Sequence, residues 1–505
     1  MSLGVATGAQ ISGGEAFVIR VEARVTAGAA GLSIVGLADK SVGEARERVA
    51  AALETSGLLS LASRAARVVV SLSPADKKKS GSHLDLAVAL SCLAAVKVGA
   101  GDRPTLALGE LGLDGSLLPC RGVLAMAEAA RKSGITSAIV PTANAVEAAA
   151  VSGLEVYPAR HLREAVAHVS GKKILPREPS RPPGTEIICP TPHYEVAKNQ
   201  REALRAAEIS IAGGHNFAMI GPPGTGKTTV AKACAEIMPP MSEEESVEVA
   251  RTLSLAGLPV LFPVHRPFRA PHHTATYAAL VGGGPEIRPG EAARAHRGVL
   301  FLDELPEFDR KALDALREPI EEGVVRISRA AGSVTFPARF SLVAAMNPCP
   351  CGFAGDSRRE CSCPPGVASR YGSKISGPLV DRIDVWARVS SPKTADVLAN
   401  APASNEGAAA RERILLAKAR QEARAINLDV PAWSTNAELP DRALKLDIFS
   451  DDGRNTLAKA ADRLGLSARG VTRTMRVALT IADLGGQDRV SSDHILEAIG
   501  YRSRR

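Results

Sequence analysis

The stretch that decides the fold runs from Phe217 to Thr229 and reads Phe-Ala-Met-Ile-Gly-Pro-Pro-Gly-Thr-Gly-Lys-Thr-Thr. Its first four residues are apolar and predict a short buried strand, and the residues after it predict a helix. Between them lies the pattern G-x-x-x-x-G-K-T, whose glycines let backbone N–H groups curl around phosphate groups. The start of the helix also favours anions, because its first N–H groups have no partner within the helix. The segment therefore predicts a nucleotide-phosphate site formed by Gly221, Pro222, Pro223, Gly224, Thr225, Gly226, Lys227, Thr228 and Thr229.

The side chains that act on the phosphates come from this loop and from a second segment. Lys227 is expected to reach the β- and γ-phosphates, and Thr228 is expected to give its hydroxyl group to Mg²⁺. Residues 298–304 (Gly-Val-Leu-Phe-Leu-Asp-Glu) predict a buried strand that ends in two carboxylates. We expect Asp303 to hold Mg²⁺ through water and Glu304 to act as the general base on the attacking water. The two segments together predict ATP and Mg²⁺ as ligands.

A third apolar segment, Ser341–Met346, predicts another strand, and Asn347 stands at its end. A polar side chain at such a strand tip can reach the γ-phosphate or orient the attacking water. The alternative is that Asn347 begins a turn before Pro348, because asparagine favours turns. The sequence favours a role at the γ-phosphate.

The composition limits the class of protein. A chain of 505 residues has room for two to four domains, each with its own core. The formal charge of +8 gives weak support for a polyanionic partner, while 3% aromatic residues argue against an extended base-stacking surface. The apolar segment Leu86–Val96 is too short to cross a bilayer, and the N-terminus lacks a basic segment followed by an apolar one. We therefore expect a cytoplasmic protein with no membrane partner.

Alternating strand-like and helix-like segments divide the chain into parts. Residues 1–175 predict a compact α/β domain, and residues 176–192, rich in proline and charge without an apolar period, predict a linker. Residues 193–395 contain the phosphate chemistry, and residues 396–505 are mostly helical by period after a loose start. The expected fold class is α/β, with a P-loop core built on a parallel sheet.

The order of these motifs resembles one branch of the AAA+ proteins. Residues 290–304 resemble the magnesium-chelatase and MCM branch, and three further motifs narrow the resemblance to the ComM/YifB group, over nearly the whole chain. The resemblance implies a Lon-protease-like (ChlI-type) first domain, an AAA+ core and a C-terminal helical lid of the magnesium-chelatase type. The three motifs are Arg266-Pro-Phe-Arg-Ala-Pro-His-His-Thr274, Asn347-Pro-Cys-Pro-Cys-Gly352 and Ser376-Gly-Pro-Leu-Val-Asp-Arg-Ile-Asp384.

The same resemblance implies roles for three residues outside the phosphate loop. Asn347 would be sensor 1, Arg382 the arginine finger that enters the site of a neighbouring subunit, and Arg469 sensor 2. A guanidinium group suits the last two roles, because it is always charged and can neutralise a phosphoryl-transfer transition state. The chain departs from the family at residues 197–200 (Ala-Lys-Asn-Gln), where Asn199 replaces the usual glycine, so the adenine pocket stays unassigned.

The first domain lacks the side chains that a Lon-type protease needs, a serine nucleophile and an activating lysine. By resemblance, the nucleophile position falls near His83, and the lysine position falls in the apolar segment 124–126. Ser80 and Ser82 lie close to His83, so a shifted register stays open. We expect this domain to bind or assemble rather than to cleave peptide bonds.

Four of the eight cysteines form two C-x-C clips separated by nine residues. Two such clips joined by a turn can present four thiolates tetrahedrally to a structural Zn²⁺, and the alternative is four reduced thiols in a loop. Nearby, the adjacent His272 and His273 do not suit a single ion on regular structure, so we expect a loop or subunit contact there. The clustered cysteines are Cys349, Cys351, Cys361 and Cys363.

A basic hairpin is predicted between the acidic strand and Asn347. Val324–Ile327 and Val334–Phe336 predict two strands around a turn. This placement resembles the pre-sensor-1 hairpin of the branch, which lines the pore of a hexamer and grips DNA. Arg326 and Arg329 would then contact phosphates without regard to base sequence. The alternative is an exposed hairpin with solvated charges.

The resemblance implies a ring-forming, hexameric, ATP-driven DNA motor. By that resemblance it would act as a branch-migration helicase during natural transformation or recombination, and its partner would be single-stranded or branched DNA. The alternative is a chelatase-type motor that remodels a protein partner or drives metal insertion into a tetrapyrrole. The Lon-like first domain favours the DNA motor, because the resemblance places that domain with the ComM group.

Overall fold

The computed structural model describes residues 3–502 apart from several short segments, and its backbone contacts divide the chain into two compact units. The first unit comprises Met1–Thr185, Glu243–Pro263 and Arg326–Thr335, and the second comprises Glu186–Ser242, Val264–Val325 and Phe336–Arg505. Within residues 3–502, the segments outside the description are 13–14, 37–39, 61–66, 75–78, 80, 99–103, 180–189, 259, 261–264, 285–286, 330–331, 357, 392–404, 429, 432–434 and 445.

The helices of the described chain follow the apolar periods of the sequence. Most are short, and the longest lie near the C-terminus. In chain order they are α1 (Lys40–Thr55), α2 (Asp85–Ala95), α3 (Val123–Lys132), α4 (Ala145–Ala149), α5 (Leu162–Val169), α6 (Pro192–Val196), α7 (Arg201–Gly213), α8 (Lys227–Ile237), α9 (Glu243–Ala256), α10 (Tyr277–Leu280), α11 (Glu291–Arg294), α12 (Arg310–Ala315), α13 (Arg317–Glu322), α14 (Val367–Gly372), α15 (Gly377–Val380), α16 (Glu406–Asn427), α17 (Asp451–Leu464), α18 (Ala468–Leu484) and α19 (Ser492–Gly500).

The strands form one large sheet in each unit and several two-stranded pairs. In chain order they are β1 (Leu3–Ser12), β2 (Glu15–Thr26), β3 (Gly31–Val35), β4 (Arg67–Ser73), β5 (Thr105–Ala107), β6 (Glu110–Leu111), β7 (Leu117–Leu118), β8 (Ser137–Pro141), β9 (Glu155–Ala159), β10 (Phe217–Ile220), β11 (Phe268–Arg269), β12 (Gly282–Gly283), β13 (Arg288–Pro289), β14 (Val299–Leu302), β15 (Val324–Arg329), β16 (Gly332–Pro337), β17 (Ser341–Met346) and β18 (Val385–Arg388).

The first unit is built on a seven-stranded mixed sheet with the order β3-β4-β2-β1-β5-β8-β9. β2 pairs antiparallel with β1 and β4, whereas β5 pairs in parallel with β1 and β8. Helices α2 and α3 pack on β1 and β2. Because α2 is apolar almost throughout, ten of its 11 residues are buried. An α/β domain was expected here, and the structure has one.

Helix α9 belongs to the first unit by its packing, although it follows the phosphate loop in the sequence. It lies against α3. The Ser254 hydroxyl donates to the buried carboxylate of Glu147, and Arg251 forms an ion pair with Glu128. Each compact unit is made of segments that are not contiguous in sequence. The predicted domain boundaries at residues 175, 193 and 395 therefore remain predictions.

The second unit contains a five-stranded sheet with the order β11-β14-β17-β10-β18. All four neighbouring pairs are parallel. The strands β10, β14 and β17 are continuous apolar runs, as expected for a parallel sheet that is buried on both faces. The predicted parallel-sheet core is therefore confirmed, and the strand that precedes the phosphate loop is β10, which lies between β17 and β18.

The C-terminal region from α16 to α19 is helical, as predicted. Helix α18 packs against α16, α19 and α7, so this region shares one hydrophobic core with the parallel sheet. In the part of the chain that the structure describes, no helix combines the length and the apolar character needed to cross a membrane.

Candidate nucleotide-binding site

The loop between β10 and α8 has the backbone shape of an anion cradle. β10 ends at Ile220 and α8 begins at Lys227, so the loop runs directly into the start of an 11-residue helix. Gly224 and Gly226 have φ angles of +75° and +87°, in the left-handed region that favours glycine. A Cβ atom built on Gly224 would meet nothing within 4 Å, so the space before its backbone is open. The loop therefore fits a phosphate group.

Lys227 lies at the centre of this loop and contacts Asn347. Its Nζ donates to the carbonyl oxygens of Gly221 at 2.7 Å and Pro222 at 2.8 Å, and to Asn347 Oδ1 at 3.1 Å. Burial lowers the pKa of Lys227, and the nearby carboxylates of the acidic strand oppose that shift. Because β10 and β17 are parallel neighbours, their carboxyl ends meet at one edge of the sheet. The structure thus brings together the loop lysine and the predicted sensor residue.

The two residues predicted to share Mg²⁺ are in direct contact. The Thr228 hydroxyl donates to Asp303 Oδ2 at 3.1 Å, and the other carboxylate oxygen accepts from the Glu304 backbone N–H at 2.9 Å. A hydroxyl and a carboxylate are the hard oxygen ligands that Mg²⁺ prefers. The donor set at this place therefore fits the ion that the sequence implies.

Glu304 follows Asp303 in an unusual backbone conformation and faces a histidine. Its φ and ψ angles are 53° and 46°, and 51% of its side chain is exposed. Its Oε2 lies 3.1 Å from His273 Nδ1. The sequence predicted a loop or subunit contact for the histidine pair, and it missed this contact within the chain. No local sequence signal marks this contact, because it arises from the pairing of β11 with β14, which places the segment after β11 beside the end of the acidic strand.

Three family models match the chain in sequence order. The model described as subunit ChlI of Mg-chelatase matches residues 21–144, the model described as magnesium chelatase, subunit ChlI, matches residues 194–397, and its C-terminal counterpart matches residues 404–502. The second match contains the whole nucleotide site described above.

Relatives are similar to this chain over its full length. Competence protein ComM of Haemophilus influenzae is 38% identical over 517 residues, which cover 100% of this chain and 98% of that protein. YifB of Escherichia coli is 38% identical over 511 residues, which cover 100% of this chain and 97% of that protein. The chain belongs to the ComM/YifB family of magnesium-chelatase-like AAA+ proteins.

A more distant relative shares part of the chain. The magnesium-chelatase 38 kDa subunit of Chlorobaculum parvum is 25% identical over 307 residues, or 56% of this chain and 81% of that protein. Membership of the AAA+ family implies ATPase activity and implies ATP and Mg²⁺ as ligands. The resemblance that the sequence motifs carried is thereby confirmed.

The two family arginines are not part of the group around Lys227. Arg382 Nη1 donates to the Pro378 carbonyl at 2.7 Å, and its guanidinium pairs with Glu321, so only 16% of the side chain is exposed. Arg469 is exposed on the first turn of α18. Within the described residues, neither arginine has a hydrogen bond or ion pair to the nucleotide site. Their roles as arginine finger and sensor 2 remain predictions.

Gln200 is a site residue that the sequence did not assign. Its Nε2 donates to the carbonyl of Thr225 in the phosphate loop at 3.0 Å and to the carbonyl of Ser390, just after β18, at 2.9 Å. It therefore links the phosphate loop to the end of a neighbouring strand. The segment had been singled out only for Asn199, which replaces the usual family glycine beside it.

The four clustered cysteines converge as predicted. All four Sγ atoms lie within 4.8 Å of one another, and the closest pairs are 3.3 to 3.6 Å apart. The Cys349 side chain is buried, whereas Cys361 is exposed. A hydrogen bond from the Phe353 backbone N–H lowers the pKa of Cys351, which favours its thiolate. Four convergent sulfur donors fit a soft divalent ion such as Zn²⁺.

The predicted hairpin is present, with longer strands than the sequence indicated. β15 and β16 form a two-stranded sheet, and the Ser328 and Ser333 hydroxyls lie 3.2 Å apart across it. Arg326 is exposed on β15. The Arg329 side chain and the turn residues 330–331 lie outside the description, so the second predicted phosphate contact stays a prediction.

The residues considered for proteolysis have other partners in the first unit. The Ser82 hydroxyl donates to Glu110, and the Nε2 atom of the half-buried His83 is inaccessible to solvent and has no hydrogen-bond partner. Burial lowers the pKa of His83 to about 4. The segment 124–126 is buried in α3, and Ser80 lies outside the described residues.

Proposed function

We propose that this chain is a ring-forming, ATP-driven DNA motor that remodels branched or single-stranded DNA, with a role in natural transformation. Support for the ATP-driven part comes from one observation above all: Lys227, Thr228, Asp303 and Asn347 meet at one edge of the parallel sheet. Support for the DNA part comes from the full-length similarity to a protein named for competence.

In this proposal each side chain at the sheet edge has one task. Lys227, with the N–H groups at the start of α8, binds and orients the phosphates of ATP. Thr228 and Asp303 would hold Mg²⁺, which when bound would neutralise charge on the phosphates. Glu304 takes a proton from the attacking water, whose oxygen forms a bond to the γ-phosphorus while the bond from that phosphorus to the β–γ bridging oxygen breaks, so that ADP and inorganic phosphate leave.

In the proposed ring of subunits, the Arg382 side chain would have to leave its partners within the chain. In the proposed hexamer this guanidinium enters the site of a neighbouring subunit and neutralises the transition state. Within one chain it pairs instead with Glu321 and the Pro378 carbonyl. Assembly would therefore exchange an intrachain ion pair for a contact with the neighbour's nucleotide, which makes hydrolysis depend on the ring. Arg469, on a helix of the C-terminal lid, would add a further positive charge near the phosphates.

DNA contact is assigned to the β15–β16 hairpin. Arg326 is exposed there, and the net charge of +8 favours a polyanion. Contacts of this kind bind the DNA backbone irrespective of base sequence, which suits translocation. The proposal also includes a structural Zn²⁺ on Cys349, Cys351, Cys361 and Cys363, whose four thiolates leave no position for a substrate.

The deciding experiment measures ATPase rate alone and with single-stranded, duplex or four-way-junction DNA of unrelated sequences. We expect DNA of any sequence to stimulate hydrolysis, with the junction most effective. A second candidate, a chelatase-type motor acting on a protein partner, is favoured by the three matching magnesium-chelatase models. If no form of DNA changes the ATPase rate at low salt, that candidate is favoured over the DNA motor.

A matched pair of variants tests the hairpin. Arg326→Ala combined with Arg329→Ala should weaken DNA binding equally for all sequences and reduce the slope of log K against log salt by about 0.9 per lost phosphate contact. The DNA-free ATPase rate should stay close to that of the wild type. Arg46→Ala removes an exposed arginine from the first unit and should leave the slope unchanged. An unchanged slope in the hairpin variant would remove the hairpin from the proposal.

A further inference from the structure

The cysteine cluster stands on the segment that carries the predicted sensor residue. Asn347 ends β17, and Cys349 follows two residues later. From Asn347 to Gly366 the described residues contain no helix or strand, which is long for an ordered loop without its own secondary structure. Such a segment needs another source of order. Four sulfur atoms within 4.8 Å can supply it through a bound metal.

The backbone of this segment packs directly on the phosphate loop. Gly352, between the two clips, has a φ angle of +87°. A Cβ atom built on it would lie 2.6 Å from Cδ of Pro223, closer than real contacts allow. Glycine is therefore required for the close approach as well as for the backbone angle. Pro223 precedes Gly224, whose backbone faces the open space of the cradle.

A second line of contacts leads from the same segment to the other side of the phosphate loop. Asp356 accepts a hydrogen bond from the Ser391 hydroxyl at 3.5 Å. The preceding residue, Ser390, accepts from Gln200, and Gln200 also donates to the Thr225 carbonyl. The segment between the clips thus contacts the phosphate loop directly at Pro223 and indirectly at Thr225.

The sulfur geometry fits a tetrahedral metal. For a Zn–S distance of about 2.3 Å, the sulfurs of a regular tetrahedron lie about 3.8 Å apart. The closest sulfur pairs here are 3.3 to 3.6 Å apart, which is far longer than a disulfide bond. Four thiolates at this spacing repel one another unless a cation neutralises them, and an all-thiolate set selects soft ions.

We propose that Zn²⁺ bound by Cys349, Cys351, Cys361 and Cys363 braces the phosphate loop. By fixing Gly352 against Pro223, the ion holds the loop in the shape that lets Lys227 reach Asn347. Loss of the ion releases the segment, so hydrolysis slows although none of the catalytic side chains has changed. The functional part of this inference rests on the proposed ATPase activity, whereas metal binding and loop order do not.

The test uses the full-length chain with Cys361→Ser, which changes the exposed thiol of the cluster, and Cys120→Ser, a control outside it. Elemental analysis without chelator should find about one zinc per chain in the wild type and the control, and a clear loss in Cys361→Ser. Hydrogen exchange at the backbone amides of Gly221 and of residues 224–226 should be faster in Cys361→Ser than in the wild type, and unchanged in Cys120→Ser. Turnover should fall about tenfold in that variant, while ATP affinity changes less than about threefold.

Gly352→Ala separates the brace from the metal site. It should retain zinc, because no sulfur is changed, yet it should quicken exchange in the phosphate loop and lower turnover. A wild-type protein with no zinc, or with iron in place of zinc, would overturn the metal assignment. Normal loop exchange in both Cys361→Ser and Gly352→Ala would overturn the brace. If the wild type binds zinc but has no ATPase activity, it is the proposed function that fails, because zinc content and exchange are measured without turnover.

Discussion

The polar groups of the two α/β units are used in opposite ways. In the first unit Asp85 is fully buried and paired with Arg48 at 2.9 Å, and the Nε2 atom of His83 is buried without a hydrogen-bond partner. In the second unit the polar groups of interest lie at the carboxyl ends of parallel strands. Asp303 and Glu304 follow β14 there and remain partly exposed. Parallel strands collect the loops of one end at one edge, which is where α/β proteins bind ligands.

This difference predicts which substitutions affect nucleotide chemistry and which affect stability. Replacing a polar group at the parallel edge should change nucleotide chemistry and leave stability nearly intact. Replacing a buried polar group of the first unit should change stability and leave ATP binding intact. Each prediction below tests one side of this division.

Lys227→Ala should have the largest effect. It removes the side-chain cation of the phosphate loop, so ATP affinity should fall at least about 100-fold and turnover should disappear. Lys232→Ala, an exposed lysine on the same helix, is the control and should behave as the wild type. Calorimetric titration with ATP measures both. Equal affinity in the wild type and Lys227→Ala would contradict the site.

Arg382→Ala should leave ATP affinity unchanged and lower turnover about 1,000-fold. This factor is at the lower end of the range found when an arginine finger is lost. Arg370→Ala removes an exposed arginine from the neighbouring α14 and serves as its control. Steady-state ATPase assays and ATP titrations on assembled protein give the two values. A parallel loss of ATP affinity would show that Arg382 acts on its own subunit rather than on a neighbour.

Glu304→Gln should retain ATP and lower turnover about 100- to 1,000-fold, since the phosphate and magnesium contacts remain but the base does not. Glu307→Gln, three residues further on, is the matched control. Mixing Glu304→Gln with Arg382→Ala subunits should restore part of the activity, because one type of mixed interface has both residues intact. No recovery in verified mixed rings would count against action in trans.

His83→Leu should have no effect on ATP turnover, the smallest effect of the four variants. It should instead change how the free energy of unfolding depends on pH. Burial lowers the pKa of His83 to about 4 from its ordinary 6.5, so the unfolded chain binds a proton that the folded chain does not. The stability that depends on neutral His83 is complete above pH 6.5 and is lost as the pH falls towards 4, by up to about 3 kcal/mol. Urea unfolding across this range should be flatter for His83→Leu, while Lys227→Ala should keep the wild-type profile.

Much of the candidate site could be predicted because its signals are local. The apolar runs Phe217–Ile220 and Ser341–Met346 are strands with those bounds, and the glycine pattern between β10 and α8 forms the expected loop. Strand propensity, backbone freedom at glycine and the chemistry of a lysine depend on the residue and its neighbours in sequence. Even the convergence of the cysteines followed from their spacing.

The remaining features depend on residues that are distant in sequence. Glu304 faces His273 because β11 pairs with β14, and Gly352 meets Pro223 because β17 lies beside β10. Helix α9 joins the first unit through Ser254 and Glu147, which the chain order conceals. The sequence by itself determined the phosphate-binding loop, the acidic strand and the family of this protein. Only the tertiary structure decided which side chains meet, because strand order and helix packing are chosen by the burial of the whole core and not by any local segment.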